Sequence, residues 1–346
     1  MTELTTAHRD SAYTASQRTL CDCLALGGSQ FHSLFSGSLR PLRDFRGDMS
    51  PLIELGLIEA SSGEARAFTP IVAFNDLFLK CDSPSSELWE RVFPLYDDES
   101  LLLAHWVEAK RGERVLEIGT GAGVAALKLA AEGAERVIAT DISPRVGDCF
   151  AFNAELNGLA GKVEYVNSDV FENLNGERFD IIVSNPPFVP VPGEARYFLH
   201  SDGGPFGTAV LERVALGWRN HILPGGRLYA MAMSLGNSCG SRVSRVFPDA
   251  KFRGIYDTPH LKLDEYLKMF QWVPNWKHWE DALAEMHYDR IGYFGMTIGA
   301  DAEASLDRLQ GIIRSRRDEI SAMPWADYSW SMTARLKRYG RAHPQP

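Results

Sequence analysis

The stretch RVLEIGTGAGVAALKLAAEG, residues 114–133, constrains the fold more than any other part of the chain. An apolar strand run enters a turn with glycine at 119, 121 and 123 and leaves it as an apolar helix. Glycines at those positions permit a tight turn and a close backbone approach to a ligand. Strand, turn and helix in that order form the unit of a parallel sheet with helices on its faces. The alternation continues. RVIATD (136–141) is a second strand and RVGDCFAFNAELNGL a second helix; VEYVNSD (163–169) and FDIIVSN (179–185) are the third and fourth strands. The helix TAVLERVALGWRNHI leads to a fifth strand, GGRLYAMAM (225–233), and KFRGIY and RIGYFGMTIGA read as two final strands before a helix in DAEASLDRLQGIIRSRRDEI.

The region before residue 95 reads differently. Residues 1–15 are expected to be a polar arm. Helical spacing from Ser16 to Leu57 is broken at Gly27-Gly28, Gly37 and Pro41. LIELGLIEASSGEARAFTP then gives a short helix, a turn at Ser61-Ser62-Gly63 and a return strand, a winged-helix-like pattern. Its surface alternates Glu54, Glu59 and Glu64 with Arg66, which does not make a basic reading head. The expected organisation is a mainly helical, winged-helix-like domain over 1–95 and an α/β domain over 96–346. The second domain opens on a helix capped by Asp97 or Asp98, with Leu101, Leu102, Leu103 and Trp106 on its apolar face. An aromatic-rich, mostly helical insert at about 257–289 is expected to pack on Trp272, Trp276 and Trp279 and to serve as a substrate lid.

Composition narrows the function. The net charge is −9 with a pI near 5.5, so bulk nucleic acid is not an expected partner. Five cysteines (Cys21, Cys23, Cys81, Cys149, Cys239) without a framework spacing read as reduced thiols of a cytoplasmic protein. Neither Cys21-Asp22-Cys23 nor His278, Glu280, Asp281 and His287 has a metal-site spacing, so no metal is expected. The polar N-terminus is not a signal peptide, and no apolar run approaches the roughly 20 residues of a membrane span.

The glycine turn fits two nucleotide ligands, NAD and S-adenosylmethionine. Asp141, at the end of the second strand, is placed to accept both ribose hydroxyls of either. For a dinucleotide, the motif from Gly119 needs a small residue at 124, where Val124 stands; the register from Gly121 does match. Glu117 tilts the choice, because a carboxylate before the turn repels a pyrophosphate and can hold the ammonium of S-adenosylmethionine. Thr120 belongs to the same turn. Ile142 can cover a ligand face, and Asp169, beside Val170 at the third strand's end, can accept from an adenine amino group.

VLEIGTGAG, ATD, NSDVF and SNPPF together resemble the successive motifs of class I S-adenosylmethionine-dependent methyltransferases. The step with Asn, with NAELNGL and SDGGPFG around it, is similar to the methyltransferase small-domain group, which includes release-factor glutamine methyltransferases and guanine-N2 rRNA methyltransferases, so the resemblance does not carry a substrate. The resemblance covers residues ~95–235. It implies a Rossmann-like, seven-stranded sheet, S-adenosylmethionine as cofactor, and a site in which Asn185 lies beside both cofactor and acceptor. The chemistry explains SNPPF. An NH2 nitrogen on a planar group is a poor nucleophile because its lone pair is conjugated, so it must be aimed at the methyl carbon. The side-chain oxygen of Asn185 and the carbonyl of Pro186 can each accept one N–H, and Pro186 and Pro187 stiffen the step. Both bonds strengthen as positive charge grows on nitrogen. Phe188 can stack on the planar group. Further on, Tyr197, His200 and Asp202 are expected beside the pocket, His200 or Asp202 being placed to take the departing proton.

The favoured expectation is an N-methyltransferase acting on a planar NH2 group of a small molecule or protein side chain. Its N-terminal module is expected to pack on a neighbouring domain or on a second copy in a homodimer. Two rivals stay open: a cyclase of the azetidine-2-carboxylate-forming type that releases methylthioadenosine, and an S-adenosylmethionine-sensing DNA-binding regulator.

Overall fold

The computed structural model describes residues 6–25, 40–45, 47–83, 86–92, 98–191, 197–238, 240–255, 260–268 and 276–321. Gly27, Gly28, Gly37, Asp97, Cys239 and Trp272 lie outside them.

The N-terminal segment is helical from Thr6, not an arm to residue 15: α1 spans Thr6–Leu24. Its inward stripe is Tyr13, Ser16, Leu20 and Cys23, at helical spacing. Ser16 and Thr19 are buried there, and a stripe so rich in hydroxyls hides its amphipathicity from a hydrophobic count. Then follow β1 (Arg40–Pro41), α2 (Ser50–Glu54), β2 (Ile58–Ser61) and β3 (Glu64–Ala67). The three strands pair antiparallel in the order β1-β3-β2. Ser62 and Gly63 turn the β2–β3 hairpin with φ of 55 and 84, the two positive values a tight two-residue turn needs. A second hairpin, β4 (Ile71–Phe74) with β5 (Leu77–Lys80), was not expected.

The larger part of the chain follows in order as α3 (Asp98–Trp106), β6 (Arg114–Ile118), α4 (Val124–Ala131), β7 (Arg136–Asp141), α5 (Pro144–Leu156), β8 (Val163–Asn167), β9 (Phe179–Ser184), α6 (Ala209–His221) and β10 (Ile222–Asn237). It ends with β11 (Gly240–Ser241), α7 (Arg242–Val246), β12 (Lys251–Gly254), β13 (His260–Lys262), α8 (Leu263–Leu267), α9 (Trp276–Glu285), β14 (Arg290–Ile298) and α10 (Ala302–Ser321). The principal strands lie in the order β12-β14-β10-β9-β6-β7-β8. From β8 to β10 they are parallel, and β14 runs antiparallel between β10 and β12. This is the doubly wound, Rossmann-like sheet that the resemblance implied. Two short strands lie off that path: β11 pairs with β10, and β13 with β14. The insert therefore begins as a strand on the sheet edge and only then turns helical.

Alternate residues of each strand face opposite layers. Val115, Val137, Ile181 and Val183 join one core with α4 and α10, while Leu116, Ile138 and Ile182 join another with α6 and α7. The N-terminal elements pack on α5, where Leu156 enters their core. Two asparagines of α5 and its C-cap act as a surrogate strand for β5. Asn153 Oδ1 accepts from Lys80 N at 2.8 Å, and Asn157 Oδ1 from Phe78 N at 2.9 Å. Their Nδ2 groups donate back to Lys80 O and Phe78 O. This ties the β4–β5 hairpin to the nucleotide-binding half of the sheet.

The chain turns one way from β6 through β7 to β8 and returns to the other side of β6 as β9. Such a switch point leaves a crevice at the carboxyl ends of the strands, and the functional groups converge there.

Candidate functional site

The glycine turn closes over the end of β7, with Gly119 N and Thr120 N both donating to Thr140 O at 2.8 and 2.9 Å. Gly119 and Gly121 have φ of 72 and 54, in the left-handed region. Asp141 staples this turn to the next loop: Oδ2 accepts from Gly121 N at 3.2 Å and Oδ1 from Ser143 N at 3.0 Å. Each oxygen keeps lone-pair capacity for a second donor. Burial holds the Asp141 carboxyl above its ordinary range.

Glu117 is 4% exposed, and its Oε2 accepts from Thr120 Oγ1 at 2.6 Å and Ala126 N at 3.0 Å. Burial dominates over those bonds and raises its pKa to about 7. A carboxyl so desolvated has much to gain from a cationic neighbour.

A cleft of about 230 Å³ opens between these strand ends. Glu117, Gly119, Thr120, Gly121, Asp141, Ile142, Asp169, Val170, Asn185, Pro186, Pro187, Phe188, Tyr197, His200 and Asp202 all line it. Of the residues expected at the site, only Gly123 is not in the lining. Its φ is 86, and a Cβ there would meet the Phe150 ring at 2.6 Å, so this glycine serves the packing of the turn on α5.

Asp169 is already engaged, paired with Arg213 of α6 through Oδ1 at 2.5 Å. Val170 follows with φ of 56, a strained value for a β-branched residue. Asn185 donates from Nδ2 to Ser100 Oγ on α3 at 2.9 Å. Among the described residues its buried Oδ1 has no hydrogen-bond partner. Among the described residues Pro186 O accepts no hydrogen bond either. Phe188 is half-buried against the Tyr293 ring, with centroids 5.3 Å apart.

A strap over residues 201–207 is zipped onto this step. Val189 N donates to Ser201 O and Gly203 N to Val189 O, both at 2.9 Å. A Cβ on Gly207 would stand 2.5 Å from Phe188 O. Asp202 Oδ1 accepts from Gly204 N at 2.9 Å and so shapes the strap. The insert buckles onto the same loops: Tyr266 Oη donates to Pro190 O at 2.9 Å and Trp279 Nε1 to Pro205 O at 3.0 Å.

His200 does not fit the proton-accepting role expected of it. Its Nε2 already accepts from Arg91 Nε at 2.9 Å, and burial and the Arg91 charge depress its pKa to about 3. Sequence reading missed Ser100, Arg91, Ser201 and Arg213, all of which line the cleft. Ser201 stands in the SDGGPFG stretch without having been singled out; Ser100, Arg91 and Arg213 belong to no motif, and only the fold brings them there. Among the described residues no group of three or more His, Cys, Asp or Glu side chains could hold a metal ion, and no helix is long and apolar enough to cross a membrane.

Comparison with known proteins agrees with this geometry. Residues 94–198 match the model of the methyltransferase small domain. A Methanocaldococcus jannaschii protein provisionally named as a protein N5-glutamine methyltransferase is 31% identical over 163 residues, 46% of this chain and 81% of its own length. The release factor glutamine methyltransferase of Xylella fastidiosa is 40% identical over 124 residues, 33% of this chain and 45% of its own. That of Lactococcus lactis subsp. lactis is 31% identical over 190 residues, 51% of this chain and 65% of its own. The chain thus spans most of the first relative and about half to two thirds of the other two. An aligned core of that extent, with a buried carboxylate before the glycine turn and an unsatisfied amide oxygen at the NPPF step, places the chain in the methyltransferase small-domain family of S-adenosylmethionine-dependent methyltransferases.

Proposed function

We propose that the protein N-methylates a primary carboxamide, with the side-chain amide of a protein glutamine as the acceptor class. One observation carries this reading: Asn185 lines the cleft and its Oδ1 is buried without a partner among the described residues, while Nδ2 is anchored on Ser100. An acceptor left so is costly unless a ligand donor meets it. The Pro186 carbonyl offers a second acceptor one residue on. Two acceptors on a rigid step match the two N–H groups of an NH2. The glutamine methyltransferase names of the relatives support the same class.

The residues of the cleft fit the cofactor. Glu117 is the group for its ammonium, Asp141 for the ribose hydroxyls, and the exposed face of Ile142 for the adenine ring. Asp169, tied to Arg213 through one oxygen, has its other oxygen for the adenine amino group. When bound, S-adenosylmethionine supplies a methyl carbon already activated by its sulfonium. The protein then has to position: Asn185 Oδ1 and Pro186 O hold both hydrogens of the acceptor nitrogen, and Phe188 supports the planar group from one side. Their hold tightens as the nitrogen becomes positive, which favours the transition state over the ground state. The departing proton leaves to solvent or to an acceptor other than His200.

The test is product analysis with labelled S-adenosylmethionine and a panel of glutamine-containing peptides. The expected result is methyl transfer to a peptide with S-adenosylhomocysteine released in equal amount. Methylthioadenosine formed without an acceptor would overturn the reading in favour of the cyclase.

A further inference from the structure

One wall of the cleft carries a hydrogen-bond relay that the clamp does not use. Arg91 is 6% exposed, its guanidinium lies over the Phe198 ring at 3.7 Å, and Nε donates to His200 Nε2 at 2.9 Å. A guanidinium has only donors. His200 Nε2 must therefore be the bare, accepting nitrogen, and the single ring proton sits on Nδ1. Nδ1 lies 2.6 Å from Ser201 Oγ, so it donates to that oxygen. Ser201 Oγ makes no other hydrogen bond among the described residues. Ser201 is 6% exposed and lines the cleft. With His200 occupying one lone pair, the hydroxyl proton has to point away from the ring, and Ser201 is a residue of the cleft lining.

The strap fixes where that proton is offered. Ser201 is held beside Val189 by the backbone bonds of the zipped strap, a few residues past Asn185 on the same rigid step. A donor and an acceptor thus share one cleft: Ser201 Oγ–H and Asn185 Oδ1. A primary carboxamide presents the complementary pair, a carbonyl oxygen and an adjacent N–H. An amine with no neighbouring carbonyl satisfies only one of the two.

We propose that Ser201 donates its hydroxyl hydrogen to the carbonyl oxygen of the methyl acceptor, with His200 and Arg91 as positioning residues that aim it. The proposal rests on the carboxamide reading above and assigns the half of the amide that the Asn185 clamp does not touch. The role is selection, not activation. A hydrogen bond to the carbonyl oxygen strengthens the conjugation that ties up the nitrogen lone pair. Its benefit is therefore felt in binding the acceptor and not in the methyl-transfer step.

The experiment uses the full chain, labelled S-adenosylmethionine and a panel of short peptides, each with one glutamine, alongside the same peptides with lysine in its place. For the best glutamine peptide, Ser201→Ala is expected to raise KM about 3–10-fold, the loss of one neutral hydrogen bond, with kcat within about twofold. Ser201→Thr, which keeps the hydroxyl, should restore KM. His200→Gln keeps an acceptor for Arg91 but leaves the Ser201 rotor unset, so KM should rise in the same direction. The double variant should be no worse than Ser201→Ala, because both changes remove the same bond. Affinity for S-adenosylhomocysteine should be equal in all of them, which shows an intact fold. Normal KM in Ser201→Ala with an active wild type overturns this inference alone. So does a loss confined to kcat. Wild type that methylates no glutamine peptide, or prefers the lysine peptides, overturns the carboxamide reading and this inference with it.

Discussion

Asn185 and Ser100 are 85 residues apart in sequence and joined by one hydrogen bond, Nδ2 to Oγ at 2.9 Å. That bond uses the amide's donor end and leaves the acceptor end, Oδ1, buried and unpaired among the described residues. The amide is thereby anchored on α3, an element outside the NPPF step.

Asn185→Ala is accordingly expected to lower kcat by about 10²–10³-fold while leaving S-adenosylhomocysteine affinity nearly unchanged. Asn185→Asp should be milder, because Ser100 can donate to one carboxylate oxygen and leave the other facing the acceptor. Ser100→Ala should lower kcat by less than Asn185→Ala, and adding it to Asn185→Ala should cost nothing further. Steady-state kinetics on this double-mutant cycle check the point; additive losses would show that Ser100 does not act through Asn185.

Glu117 gives a pH signature. The unfolded chain releases this proton near 4.5, and the folded chain holds it to about 7 because burial disfavours the charge. The native state therefore loses relative stability as pH rises from 4.5 to 7 and does not regain it above. Glu117→Gln should melt at a higher temperature than wild type at pH 8 and show no such gain at pH 4. The ligand's ammonium favours the ionised form, so S-adenosylhomocysteine affinity of the wild type should weaken as pH falls below about 7. Calorimetry across pH 5.5–8.5 reads this directly, and a flat profile would remove Glu117 from the ammonium site.

Asp141 joins the glycine turn to the loop after β7 and keeps capacity for two more donors. Asp141→Ala should weaken S-adenosylhomocysteine binding by roughly 10–100-fold, the range for losing charge-assisted hydrogen bonds of about 1.5–3 kcal/mol. Unchanged affinity would place the ribose elsewhere.

Gly123 should act on stability. Alanine there must adopt φ near 86 and places its Cβ 2.6 Å from the Phe150 ring. Left-handed strain and overpacking each cost about 1–3 kcal/mol, so Gly123→Ala should lower Tm by several degrees. A thermal melt equal to wild type would show that α5 yields without cost.

The alternation of strands and helices, the glycine turn and the polar-then-rigid step were legible in the sequence because each is a local pattern. Strand periodicity, glycine conformation and proline stiffness act within a few residues. Residues at consecutive strand ends meet automatically once the sheet is parallel, which is why the convergence of Glu117, Asp141, Asp169 and Asn185 on one cleft was legible in the sequence. The hydroxyl-rich inner stripe of α1 and the β4–β5 hairpin were not legible. Their stability comes from docking, with Asn153 and Asn157 standing in for a neighbouring strand. Nor could the sequence show that Arg91 fixes the tautomer of His200 across 109 residues, or that Ser100 anchors Asn185 across 85. Which end of an amide or imidazole faces a ligand depends on what occupies the other end, and tertiary packing alone decides that.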